Sequence, residues 1–403
     1  MTSHKLTARA VLFIGLSQLI NWGITFYMPG AFGTAIMADT GWSSVTTFSG
    51  LTVAMLVMGA VSPFTSRLLS RLGGRTMMVI GTLLICAGCF LMSLAHSEAH
   101  WIASWVVAGV GMRLSLYDAA FAVLVDAAGA GARKAISQVT LLGGLASAAF
   151  WPVAAGLLIV SDWRTALLIY SGAGLLSAAC IFALPSFHHV LSAGHTHEEP
   201  DQPINRDDRL NGLLYSSLVA LISFVSTGIS THFPAILASY GAPAVTGALW
   251  GIGQVGARLL DVASGSRVPA LRLNLYTGLL MPFCFATGLA GALTPAATAA
   301  FVLGYGAVNG LGTVVKAILP LVLFEPKQYA RKTGVLLMPG FILSALAPSA
   351  YAVFLSQLGT PGTLVLSGVL ALMITAISVV MCKRGSPHTT LQAAKPVEDH
   401  HLT

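Results

Sequence analysis

The sequence predicts an all-α membrane protein with about twelve transmembrane helices in two pseudo-symmetric six-helix bundles. Three observations carry that expectation. Of the 403 residues, 55% are apolar and only 9% are charged, against roughly 25% charged in an ordinary soluble domain. The apolar residues fall into runs that reach the roughly 20 positions needed to cross a hydrocarbon core of about 30 Å. Lys and Arg gather in alternate breaks between the runs, the asymmetry that orients membrane proteins. Backbone amides in lipid must be satisfied within their own segment, so each run is expected to be a helix.

In order, the spans are expected at 11–37, 45–68, 77–95, 102–125, 136–160 and 165–184, then at 213–239, 245–264, 273–293, 297–324, 334–354 and 364–381. The first follows a weakly basic start (His4, Lys5, Arg9) but exceeds the apolar core of a secretory signal, so it reads as a retained helix. With both termini cytoplasmic, the inner segments hold Lys5, Arg9, Arg67, Arg71, Arg75, Arg133, Lys134, Arg206, Arg209, Arg267, Arg272, Lys327, Arg331, Lys332, Lys383, Arg384 and Lys395, while the outer loops keep Arg164. That alternation fits a multi-pass protein of a bacterial-type cell inner membrane. The net charge of +7 then records topology, and no nucleic-acid partner is expected. The long polar stretch between the sixth and seventh spans divides the chain into a first bundle at 1–185, a cytoplasmic linker at 186–211, a second bundle at 212–383 and a cytoplasmic tail at 384–403.

An internal repeat supports the division. Gly23-Ile24-Thr25-Phe26-Tyr27-Met28-Pro29 in the first span is echoed by Gly228-Ile229-Ser230-Thr231-His232-Phe233-Pro234 in the seventh, and duplicated halves are a signature of carriers. A second echo pairs Ser66-Arg67-Leu68-Leu69-Ser70 with Ala257-Arg258-Leu259-Leu260-Asp261, at a different offset.

These residues resemble the major facilitator superfamily over nearly the whole chain. Its loop between the second and third helices reads Gly-x-Leu-x-Asp-Arg-x-Gly-x-Arg, and Ser66 to Arg75 fits most of that pattern, with Ser66 and Ser70 replacing Gly and Asp. The resemblance implies a gating role for Arg67, Arg71 and Arg75, with Asp261 able to supply the contact that Ser70 does not. Asp162-Trp163-Arg164 is similar to the family's Trp-Arg signature, and Trp151-Pro152 with Gly156 partly matches its antiporter pattern.

A charge inside a membrane span costs about 2.5 to 3.5 kcal/mol on insertion scales, so those that remain are expected to face a cavity or a partner. Arg113 and Asp118 in the fourth span, Arg258 and Asp261 in the eighth and Lys316 in the tenth meet this criterion. Arg113, near the middle of its span, is expected to attract an anionic or carbonyl-bearing solute. Asp118 is the expected proton carrier, with Asp261 second. Arg258 and Asp261, three residues apart, are expected to pair on one helix face as part of a gate. Asn21, Trp22, Tyr27, Tyr117, His232, Trp250, Tyr305 and Asn309 complete the expected solute site, with Trp151 nearby, because aromatic faces and amides suit a flat organic molecule.

Cys86 and Cys89 share a helix face and are expected to pack rather than to bind a soft metalloid. His188, His189, His195, His197, Glu198 and Glu199 in the linker, with His400 and His401 in the tail, read as a solvated segment rather than a metal site. No cofactor is expected. The sequence carries neither a metal-ligand helix motif nor a nucleophile elbow, so a membrane-embedded enzyme is the remote alternative. The expected function is proton-coupled secondary transport by a monomer in contact with membrane lipid. Its solute is a small organic molecule with a planar aromatic or carboxylate group, a riboflavin-like vitamin being one example. Proton antiport of drugs or trivalent metalloids is the alternative.

Overall fold

The structure, a computed structural model, describes residues 7–184, 206–264 and 267–385. The His-rich linker and tail lie outside them. The first pass is α1 (Ala8–Ile24) and α2 (Met28–Thr40). The second is α3 (Ser44–Val61), continued by α4 (Thr65–Leu72). The third is α5 (Gly74–Ser93), and the fourth is divided into α6 (Glu98–Ser115) and α7 (Tyr117–Ala128). The fifth comprises α8 (Arg133–Gly144) and α9 (Ala146–Val160), and α10 (Trp163–Phe182) closes the first half. The second half holds α11 (Arg206–Ser239), α12 (Ala248–Ala263), α13 (Ala270–Leu289), α14 (Pro295–Leu323), α15 (Tyr329–Leu336) and α16 (Met338–Arg384).

Ten stretches of the described residues are long and apolar enough to cross a membrane. One of them runs for 59 residues and is turned at Gly359, whose φ of 64° is open to a residue without Cβ, so it makes two passes. Counting the 16-residue α12 with them would bring the passes to twelve. Leu175, Phe182, Phe283 and Leu293 are among many large apolar side chains on the outside, as a lipid-facing surface requires.

Each half packs chiefly on itself: α5 on α6 and α10, α3 on α6, and α1 on α8 and α10 in the first; α11 on α16, α12 on α14, and α13 on both α14 and α16 in the second. The sequence echo has a structural counterpart. A Cβ on Gly23 would lie 2.2 Å from the ring of Phe150 in the fifth pass, and one on Gly228 2.1 Å from the ring of Tyr351 in the eleventh. Each bundle thus seats an aromatic ring from its penultimate helix on the equivalent glycine.

Bonds between neighbouring ends define two faces. On the face where α1 begins and α16 ends, Arg384 pairs with Asp207 at 2.7 Å, Lys332 with Asp208 at 2.9 Å, and Arg75 donates to the Leu184 carbonyl at 3.1 Å. On the opposite face, Arg164 donates to the carbonyls of Ser93 (2.9 Å) and Ala95 (2.8 Å) and pairs with Asp39 at 3.5 Å. Asp162 caps α10 by accepting from the Thr165 amide at 2.7 Å, and that bond holds its carboxyl below the usual range.

Candidate functional site

The site is built around a break in the fourth pass. Leu116 leaves the helical region (φ −77°, ψ −173°), so α6 ends at Ser115 and α7 begins at Tyr117. An unbroken helix over 102–125 was the expectation from hydropathy, and the break corrects it. The Ser115-x-x-Asp118 spelling resembles a helix-start signature, yet Leu116 is the N-cap and the Ser115 hydroxyl donates to the Gly111 carbonyl at 2.9 Å. Gln18 of α1 reaches across to donate to the freed Ser115 carbonyl at 2.8 Å. Non-helical backbone at membrane depth persists where such a partner is at hand. The break leaves Arg113 in the last turn of α6 and Asp118 in the first turn of α7, where the helix dipoles favour a cation and an anion respectively.

Arg113 is 2% exposed, and its Nε and Nη1 have no hydrogen-bond partner among the described residues. Its Cζ lies 5.6 Å from the ring centre of Phe341 in the second bundle. Lys316 Nζ lies 5.5 Å from the same ring centre. Lys316 also bridges the bundles by pairing with Asp118 at 3.3 Å, their side chains being 27% and 11% exposed. Buried cations are retained when the environment compensates them; Asp118 compensates Lys316, and both cations lie over the Phe341 ring.

Tyr117 lies beside this cluster. Its hydroxyl donates to the Thr140 carbonyl at 3.2 Å, its ring stacks on Phe121 at 5.3 Å, and Trp22 touches it at 5.0 Å. The buried Trp22 Nε1 has no acceptor among the described residues. Trp22 also meets Phe26 at 5.2 Å, and Tyr27 sits edge-on to Phe26 at 5.6 Å where α1 passes into α2. These rings form an aromatic wall in the first bundle. Trp151 is 56% exposed.

Other expected site residues turn into the interior of a bundle, where an apolar medium drives each polar atom to the nearest acceptor. Asn21 donates to Thr82 at 3.1 Å, and the Tyr305 hydroxyl reaches the Val225 carbonyl at 3.4 Å. His232 Nε2 donates to the Pro348 carbonyl at 2.8 Å. Trp250 packs on Phe233 (4.5 Å) and Tyr305 (5.1 Å), and Asn309 accepts from Ser226. The sequence reading missed Gln18 and Phe341, and left Lys316 without its partner.

Arg258 and Asp261 bond elsewhere than expected. Arg258 donates to the Gly310 carbonyl at 3.3 Å and to Thr313 Oγ1 at 2.8 Å, with Nη1 against Gly144 of the first bundle. Asp261 accepts from Ser137 of the first bundle at 2.6 Å, and Arg133 donates to the Val268 carbonyl. Arg258 and Asp261 thus bond to facing helices, α14 and α8, instead of to each other.

With Ser62 donating to the Gly334 carbonyl at 2.5 Å, these bonds seal the bundles together on the face where α1 begins and α16 ends. Arg67 and Arg71 are exposed there on α4, which packs on α15, while Arg75 rests its guanidinium 5.5 Å from the Phe182 ring centre. Cys86 and Cys89 are buried free thiols, and Cys89 donates weakly to the Ile24 carbonyl at 3.5 Å. Among the described residues no group of three His, Cys, Asp or Glu side chains converges as a metal site would require.

Replacing Gln18 with leucine is expected to orphan the Ser115 carbonyl at a cost of ~1–3 kcal/mol. A lower melting temperature in detergent, with a raised KM for the transported solute, would register both the stability loss and the disturbed break.

Two bundles, a seam closed on one face and charged groups at a broken mid-membrane helix define a secondary transporter of a small solute. Residues 14–319 match the profile of the Major Facilitator Superfamily, and the chain belongs to that family. Solved structures with the same fold include the proton:xylose symporter XylE bound to 6-bromo-6-deoxy-D-glucose, with a TM-score of 0.77 at 11% identity over 93% of this chain and 95% of that one. Another is the human organic anion transporter MFSD10 (TETRAN), with a TM-score of 0.70 at 16% identity over 92% of this chain and 99% of that one. Comparison with curated proteins gave no match.

Proposed function

We propose that this protein moves a small organic anion across the cytoplasmic membrane by alternating access, coupled to protons, with both termini cytoplasmic. The observation that carries the reading is Arg113: a guanidinium 2% exposed, at the seam, with two donors unpaired in the protein. A carboxylate is the planar acceptor that such a fork fits. The half-buried rings of Trp22, Phe26 and Tyr27 give a flat organic body a surface to lie on.

The bonds that close the seam are short and lie on one face, so a rocking motion has a defined seal to break. Asp118 is the proposed proton carrier, because it is the acid at the helix break and is partly open to solvent. The similarity in fold to a proton:xylose symporter and to an organic anion transporter is compatible with both elements of the proposal. The carrier acts as a monomer and leaves its solute chemically unchanged.

The test is uptake and efflux by proteoliposomes under an imposed pH gradient. The panel is labelled pyruvate, benzoate, riboflavin, xylose, arsenite and a cationic dye. Saturable, gradient-dependent movement of a carboxylate is the expected result. Movement of riboflavin, xylose, arsenite or the dye with no carboxylate flux would overturn the anion reading and keep the carrier.

A further inference from the structure

We propose that a cavity beside the closed seam, between α4 and α7 of the first bundle and the start of α15 in the second, binds a phosphate ester, and that the bound ester holds the carrier shut on this face. The inference concerns a place apart from the solute site and rests on alternating access alone, whatever solute is carried. It starts from the Ser62–Gly334 bond, where the bundles come so close that a Cβ on Gly334 would lie 2.8 Å from the Ser62 carbonyl oxygen. One turn away along each helix, Ser66 and Ala330 line the cavity from opposite bundles, and Ser70 and Pro326 line it a turn beyond them. Side chains this small do not fill the space between α4 and α15, and a cavity of about 130 Å³ remains where an interior would be close-packed.

The cavity walls carry donors from both bundles. Lys327 and Arg331, four positions apart, come from the second, and the Ser66 and Ser70 hydroxyls, also four apart, come from the first. Asp126 on α7 is the one acid among the lining residues, so the site keeps a net positive charge. Arg67 and Arg71, exposed on α4, add to the positive field around it. A carboxylate offers its lone pairs in one plane. A tetrahedral phosphate presents oxygens in several directions, so it can meet a lysine, a guanidinium and hydroxyls on separate walls. Leu69, Ala122 and Val125 are buried apolar lining residues, a floor that the carbon part of an ester covers and a bare anion does not.

Because the donors belong to different bundles, rocking the bundles apart on this face draws them away from one another. The ester therefore binds the shut state and not the open one, and a ligand shifts such an equilibrium by its differential affinity. A filled cavity keeps the seam closed, so turnover slows as the ester accumulates. In the proposed orientation this face is cytoplasmic. There the site meets two sources of the same chemistry, a soluble phosphate monoester and the headgroup of an anionic phospholipid.

The experiment follows amide hydrogen exchange in the full-length carrier, held in dodecyl maltoside, a detergent without phosphate. Glycerol 3-phosphate, dioleoylphosphatidylglycerol and potassium chloride of matched ionic strength are added in separate arms. Exchange is expected to slow at least about tenfold in 62–72 and 326–334 together, with 28–40 and 230–239 unchanged and chloride without effect. Slowing by glycerol 3-phosphate assigns the site to a soluble ester, and slowing by the lipid alone assigns it to a headgroup. Lys327 is exposed, so Lys327→Glu is expected to fold as wild type does. It is expected to need at least about tenfold more ligand for half-maximal protection, the worth of one charge-assisted hydrogen bond. Ala330→Leu places an isobutyl group in the cavity and is expected to abolish protection.

No protection in either phosphate arm, chloride as effective as the phosphates, slowing spread evenly over the chain, or a Lys327→Glu carrier that binds as wild type does would each overturn the inference. Protection of 62–72 without 326–334 would overturn it too, since a ligand held by one bundle cannot hold the seam. None of these readouts needs a transported solute. Failure at this cavity therefore leaves the anion-carrier reading standing, and a solute panel without carboxylate flux leaves the cavity standing.

Discussion

An Arg113→Gln carrier is expected to lose at least a hundredfold, roughly, in carboxylate transport efficiency, since each charge-assisted hydrogen bond contributes about 1.5–3 kcal/mol and 1.36 kcal/mol is tenfold. The buried guanidinium has two donors unpaired within the protein, so a bound carboxylate gains both without displacing a resident partner. Arg113→Lys separates charge from geometry. A lysine keeps the positive charge but presents a point donor in place of a planar fork, so an intermediate loss is expected. The measurement is initial uptake of benzoate or pyruvate across a concentration series, in both variants, with reconstituted protein quantified. A Gln variant within threefold of wild type would remove Arg113 from the solute site.

The second large effect concerns assembly of the second bundle. Gly253 of α12 and Gly306 of α14 let two backbones touch: a Cβ on Gly253 would lie 2.1 Å from the Leu303 carbonyl oxygen, and one on Gly306 2.2 Å from that of Trp250. Main-chain atoms cannot swing aside as a side chain can. Gly253→Ala is therefore expected to reach at least the usual range for overpacking, ~1–3 kcal/mol.

Gly256, one turn along the same helix, has no neighbour within 4 Å of the added methyl. Gly256→Ala is expected to be neutral or to stabilise by up to about 1 kcal/mol, the helix-propensity difference. Thermal unfolding in detergent, scored by the fraction surviving size exclusion, separates them. Equal melting temperatures would mean that α12 and α14 do not approach as closely as described.

Much of this architecture was legible because a membrane leaves a chain few options. Apolar runs of sufficient length must be helices, and the Lys and Arg in alternate loops assign them to two faces. The loop from Ser66 to Arg75 carried the family resemblance that the profile match bears out. The Gly23 and Gly228 echo foretold the duplication, and its reason became visible only when Phe150 and Tyr351 were found seated on those glycines. Arg113, Asp118 and Lys316 were legible as costly charges, since position in an apolar run is enough to mark them.

Their relations were not legible. Sequence spacing paired Arg258 with Asp261, but in the fold one bonds to Gly310 and Thr313 and the other to Ser137. Asn21, His232 and Tyr305 looked like solute ligands by residue type, and each spends a polar atom inside its own bundle. A hydrogen-bonding group buried in an apolar medium takes the nearest geometrically sound partner, and that partner is set by helix rotation, which composition does not encode.

The sequence by itself determined the solvent, the helical class, the duplicated halves and which charges had to be compensated, because each follows from transfer free energies summed along one strand of chain. Only the tertiary structure decided that the fourth helix breaks at Leu116 and that Lys316 reaches Asp118 across the seam. It also decided which face is sealed, through Ser62 with Gly334 and Ser137 with Asp261. Those are contacts between residues up to 272 positions apart, and they depend on how helices rotate and tilt against one another.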